Sequence, residues 1–216
     1  MFSKNKIMTF IEENQVVSNL VPYLGLGALY VEIYDPTSAV LAMRIKPQKL
    51  SKILIQNWGI TSREGAMEKI TGLLENGQTK AFQGAFAAFQ AGNCEAISEQ
   101  NFRSYEELIE SCTIYDLKET DFQMNDTIRA WDFEQAAFII RAAHHLGYLR
   151  EVETWQLLQN EVAPRVKEAG FKDWKAYGIS VAAGRSFCEG TAPIEILYPF
   201  RRLLNGEGAW KKGQFL

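Results

Sequence analysis

At 216 residues, 47% hydrophobic and 23% charged, the chain can bury a substantial core and has the make-up of an ordinary globular domain. A formal net charge of -3 offers no global nucleic-acid footprint. Three scattered cysteines, Cys94, Cys112 and Cys188, argue against a disulfide framework and for a reducing, cytoplasmic setting. The N-terminal apolar run is cut by Glu12-Glu13-Asn14, and Val16 to Tyr34 is interrupted by Ser18, Asn19, Pro22 and Glu32. Neither stretch suits a signal peptide or a membrane span, and the second reads as a buried helix.

Helical punctuation then recurs along the chain. A short helix is expected from about Ser3 to Asn14, and Pro22 suits the first turn of the next, running toward Tyr34. Asp35-Pro36-Thr37-Ser38 is a turn. Pro47 opens a helix with Leu50, Ile53, Leu54 and Trp58 on one face, ended by Gly59. Thr61-Ser62-Arg63-Glu64 reads as a capping box ahead of Met67, Ile70, Leu73 and Leu74, with Gly77 as the stop. Phe82, Ala85, Phe86 and Phe89 repeat the spacing up to Gly92, and Ser104-Tyr105-Glu106-Glu107 reads as a second capping box. Asp116 to Met124 predicts one helical turn within a loop.

From about Asp126 to Leu146 almost every position is apolar or small, so this helix has no solvent face and belongs at the centre. Gly147 suits a left-handed cap and Tyr148 its accompanying contact. Val152, Trp155, Leu158 and Val162 form the next face, where Pro164 predicts a kink or a fresh start. Trp174, Tyr177, Gly178, Val181, Arg185 and Cys188 line another stripe, and Ile196 to Leu204 forms a last helix. Trp131, Trp155 and Trp174 are expected to be mostly buried. No alternating pattern predicts strands, so residues 1–216 read as one all-α domain, with roughly seven to nine helices around the buried central one.

Several of these residues together resemble a known family. They are Trp58-Gly59-Ile60 with Thr61-Ser62-Arg63-Glu64, then Ala130-Trp131-Asp132, Gly147-Tyr148, Phe171-Lys172-Asp173-Trp174 and Gly184-Arg185. Their order and spacing resemble the bacterial domain-of-unknown-function family 1266 (DUF1266), over about Leu50 to Cys188. The resemblance implies a mainly helical, intracellular protein with no established activity. It also leads one to expect an arginine at Gln135 or Glu134 and a tryptophan near Phe187, where this chain departs.

Chemistry is sparsely signalled. Asp132 and Arg185 sit on apolar stripes, and two such charges would each be costly alone, so they are expected to pair. The pair serves either as a structural clamp or as a polar site between helices. Cys188 with His144 or His145 could form a nucleophile pair, and Glu189 lies beside it. The adjacent histidines His144 and His145 point about 100° apart, which with the lack of a Cys-x-x-Cys argues against a metal site. Gly25-Leu26-Gly27 lacks the third glycine of a dinucleotide loop, and no cofactor is implied. The favoured expectation is a non-enzymatic protein-interaction module, an adaptor or toxin-neutralising partner. The alternative is an enzyme built around Asp132 and Arg185, with neither nucleic acid nor membrane as partner and the oligomeric state open.

Overall fold

A helix apolar on every side must lie at the centre of whatever forms around it. In chain order the helices are α1 (Phe2–Glu13), α2 (Ala28–Tyr34), α3 (Pro47–Trp58), α4 (Arg63–Glu75), α5 (Lys80–Gln90), α6 (Glu99–Ser111), α7 (Glu119–Gln123), α8 (Ala130–His145), α9 (Glu151–Leu157), α10 (Ala163–Glu168), α11 (Trp174–Glu189), α12 (Ile194–Leu204) and α13 (Ala209–Lys212). The structure, a computed structural model, describes residues 2–93, 95, 98–206, 208–212 and 214–216. Cys94 and the side chains of the Lys211-Lys212 pair lie outside the described residues. Helix makes up 71% of the chain, and no strand occurs among the described residues.

Every residue of α8 from Ala130 to Ala143 is buried. α2, α4, α9 and α11 pack around it, and α11 in turn carries α6, α7 and α12. Gly184 permits a close approach of α11 to α8: a Cβ there would lie 2.5 Å from Cβ of Trp131. Trp131, Trp155 and Trp174 are all buried, as expected. Trp174, however, stacks on Trp210 and meets Phe215 edge-on, so it joins α11 to the C-terminal segment.

Most helix ends follow the sequence signals. Gly59, Gly77, Gly92, Gly147 and Gly170 all take positive φ. At the end of α8 the Tyr148 N–H donates to the Ala143 carbonyl and the Gly147 N–H to that of His144. That is the paired bonding of a left-handed glycine cap. Pro164 produces a π turn (Leu158–Val162) between α9 and α10 rather than a break. The wider turn accommodates the missing N–H and the ring's clash with the carbonyl four residues back.

Three expectations need correction. Val16 to Tyr34 is not one helix, because a 3-10 segment (Ser18–Gly25) holds Pro22 and α2 starts afresh after Gly27. Gly27 has φ 73°, and a Cβ there would come within 2.7 Å of the Phe138 backbone nitrogen. The Gly25-Leu26-Gly27 stretch is therefore a close-packing crossover against α8. The cap of α4 falls on Ser62, one residue beyond Thr61, where its hydroxyl accepts the Gly65 N–H. Ser104 to Glu107 lie inside α6, whose cap is Ser98. Counting α9 to α10 as one rod and setting aside the four-residue α13, the described residues form eleven helices, ten of them seven residues or longer. The excess over seven to nine comes from the seven-residue α2 and the five-residue α7.

Candidate functional site

Four polar side chains lie fully buried on α8, and each reaches a different neighbour. Asp132 accepts the backbone N–H groups of Gln78 (2.6 Å) and Thr79 (3.2 Å) and the Thr79 hydroxyl, capping the turn ahead of α5. Arg129 adds an ion pair to Asp132 at 2.8 Å and donates to the Leu74 carbonyl at 2.9 Å, which ties the end of α4 into the same knot. Glu134 accepts the N–H groups of Gly27 (3.0 Å) and Tyr30 (3.2 Å), so a side chain from another helix caps α2. It also accepts the Tyr177 hydroxyl at 2.9 Å. Burial pushes the Glu134 carboxyl up to about 7 against the opposing pull of these donors.

Arg141 donates to four carbonyls, those of Leu24, Leu26, Ser38 and Val40, at 2.7 to 3.3 Å. Burial pulls its guanidinium down to about 10, with Glu134 and Glu32 holding it up. Gln135 accepts the Trp58 indole N–H at 2.9 Å through its amide oxygen. Its amide nitrogen is buried and has no hydrogen-bond partner among the described residues.

The structure does not join Asp132 to Arg185. Asp132 is satisfied by Arg129 and the α5 cap, at the side of α8 that faces α4. Arg185 belongs to a separate cluster: its Nη2 donates to Glu195 at 2.8 Å, and its Nε lies 3.7 Å from Glu189. The guanidinium rests 5.8 Å from the Tyr30 ring centroid. The reason is local supply, since an arginine three residues before Asp132 and glutamates four and ten residues after Arg185 reach first. Burial raises the Glu189 carboxyl, Arg185 opposes that, and Glu195 reinforces it.

Neither His144 nor His145 pairs with Cys188. Burial first, then Asp132 and Glu189, push the Cys188 thiol up to about 12, so it is a poor nucleophile. Asp132 stands at the start of α8 and His144 twelve residues on, about 18 Å along the helix. His144 and His145 instead face the carbonyls of Leu149 (3.3 Å) and Ile45 (2.9 Å). Among the described residues no three His, Cys, Asp or Glu side chains are grouped to hold a metal ion. No helix of the structure is long and apolar enough to cross a membrane.

Of the concave surfaces that adjoin this polar framework, the one along α4 escaped the sequence reading. A groove of about 470 Å³ runs along α4 between the end of α3 and the Gly77-Gln78 turn that Asp132 holds. Its walls include Trp58, Gly65, Lys69, Gly72 and Gln78. Gly65 and Gly72 lie inside α4, where glycine costs about 0.5–1 kcal/mol relative to alanine. A Cβ at Gly72 would meet nothing within 4 Å, and one at Gly65 only the Ser62 hydroxyl at 3.8 Å. Among the described residues no packing calls for either glycine. The visible signal was two glycines seven residues apart in an otherwise amphipathic helix. Behind the Trp58 wall sits Gln135 with its unpartnered amide.

The Phe171-Lys172-Asp173-Trp174 stretch has a structural explanation instead. Phe171 meets Tyr177 edge-on, the Asp173 carboxylate caps α11 by accepting the Ala176 N–H, and Trp174 packs in the core. No curated protein and no solved structure matches the chain. A family model does match, over residues 53–212, and it carries the description protein of unknown function. With most of its length covered, the chain belongs to the family DUF1266.

Proposed function

We propose that the protein is a non-enzymatic interaction module whose contact surface is the groove along α4. The observation that carries this reading is a pair of glycines on the groove wall, Gly65 in the first turn of α4 and Gly72 in its interior, the second open to empty space. Each leaves the α4 backbone bare on the groove wall, where a partner can come close. The charged residues that suggested catalysis are otherwise engaged: Asp132 caps a turn, and the Cys188 thiol is pushed up out of the reactive range. An adaptor or neutralising role needs only a surface of this kind.

A photo-crosslinking residue placed at Glu68, on the groove rim, tests the reading against the same residue placed at Gln156, an exposed position of α9. In cells that express the protein, the rim position should give a discrete adduct that the α9 position does not. Identical adduct patterns from both positions, or none from either, would refute it.

A further inference from the structure

Resting on that reading, we infer that the partner is an acidic protein, whose carboxylates lie along a row of cations on α3. Residues 36–62 carry four of the chain's 23 cations and none of its 26 acidic residues. The four are Arg44, Lys46, Lys49 and Lys52, and all of them are exposed. Among the described residues none has a carboxylate partner. The acid nearest in sequence, Asp35, is buried and accepts the backbone N–H groups of Arg44 and Ile45 instead. A surface of interspersed signs neutralises itself, and this one does not.

The cations form a line that ends at the groove. Lys46, Lys49, Lys52, Ile55 and Trp58 follow one another every third residue, a spacing that puts neighbouring Cβ atoms about 5–6 Å apart. Arg44 extends the outer end, exposed like Lys46 with the buried Ile45 between them. At the inner end Ile55 is exposed and Trp58 belongs to the groove wall. A partner in the groove that reaches past Trp58 meets Ile55 and then the lysines.

The length of the row and the charge around it select the partner. From Arg44 to Lys52 it measures about 15 Å, two residues of extended chain and six of helix. With a formal charge of -3 overall, the rest of the chain carries -7 (-3 − 4). A long polyanion such as duplex nucleic acid overruns the row and is repelled by that remainder. A few carboxylates on a protein surface need only the row itself. The single aromatic of residues 36–62, Trp58, is half-buried, so bases find no exposed ring to stack on. A membrane calls for apolar side chains to insert, and α3 exposes one large one, Ile55.

A labelled oligoglutamate, followed by fluorescence polarisation on the full chain, is the probe. It should bind, and Lys49→Glu/Lys52→Glu should weaken it at least about tenfold, since each reversal turns an exposed attraction into a repulsion. Lys167→Glu/Lys172→Glu makes the same change in net charge at exposed positions on other elements and should leave the affinity within about twofold. All four positions are exposed, so both variants should fold, and circular dichroism checks that they do. No binding, or equal losses in the two variants, would overturn the inference. So would tighter binding of a short duplex DNA, or of vesicles of phosphatidylglycerol and phosphatidylcholine in equal parts, that the α3 reversal abolishes. The row would then belong to a nucleic acid or a membrane. The crosslink from position 68 separates this inference from the reading beneath it. An adduct that the α3 reversal leaves at full strength would keep the interaction module and discard the acidic partner.

Discussion

Stability should fall as pH rises from about 5 to 8, and Glu134 should be the cause. Its carboxyl moves from the ordinary 4.5 to about 7 on folding, a difference of 2.5 (7 − 4.5). At about 1.36 kcal/mol per unit this amounts to at most about 3.4 kcal/mol. The sign follows from the direction of the shift. A group whose pKa rises on folding holds its proton more tightly in the native state. Its contribution is complete below about 4.5 and is lost as pH climbs through about 7. Between pH 5 and 8 the loss comes to about 2.5 kcal/mol by the same relation. Glu134→Gln removes the titration at nearly constant volume. Glu32 and Glu189 are also raised, by burial first in each case, but both remain in either protein and cancel in the comparison. Urea unfolding of both proteins across this range gives the difference directly. Profiles that run parallel within about 0.5 kcal/mol would show that Glu134 does not carry the effect.

Arg141→Met should strand four buried carbonyls at about 1–3 kcal/mol each, a loss of at least about 4 kcal/mol in urea unfolding. A loss under about 1 kcal/mol would mean that water takes over the role of the guanidinium. Gly65→Ala and Gly72→Ala should each stabilise the chain by about 0.5–1 kcal/mol, because the new methyl has free space and helix propensity improves. A lowered thermal midpoint for both would contradict the open-groove geometry. Iodoacetamide at pH 8 should alkylate Cys188 in the native protein at least about a hundredfold more slowly than after unfolding, since little thiolate exists with the thiol near 12. Peptide mapping of the Cys188 fragment reads this, and equal rates would remove the burial argument.

Periodicity made the helices legible, because one face in 3.6 residues must find the core. The central position of α8 followed from its lack of any polar face, and its burial from Ala130 to Ala143 agrees. Partner identity was another matter. Asp132 announced itself as a charge on an apolar stripe, but its partners Gln78, Thr79 and Arg129 are two backbone amides and a near neighbour. Sequence spacing does not encode which distant backbone N–H groups turn toward a carboxylate. The same holds for Arg141, whose four carbonyl partners lie 101 to 117 residues away. Capping residues were misplaced for a simpler reason: Ser-x-x-Glu patterns also occur inside helices, and Ser104 sits where Ser98 already begins α6. The groove went unread because two glycines in a helix look like noise until the space above them is seen to be empty.

The buried charges of α8 act on its register more than on its stability. An all-round apolar helix can slide or rotate among its neighbours at little cost, since Ala, Ile and Phe pack much alike on every side. Glu134 fits only a free helix start at Gly27, and Arg141 only a cluster of carbonyls 24, 26, 38 and 40. Asp132 fits only the turn at 78–79. A rotation of one residue would swing all three by about 100° into apolar surroundings, with several kcal/mol lost at each. Two of these three fastenings reach residues 24–40, ahead of the 53–212 span that the family model covers. That N-terminal segment therefore belongs to the core as fully as the matched region, with Leu24, Leu26, Ala28 and Leu29 sealed from solvent. The third fastening, at Asp132, fixes the Gly77-Gln78 rim of the groove. Anchoring the rim to the buried central helix holds the groove wall in place along α4, where Gly65 and Gly72 leave it bare.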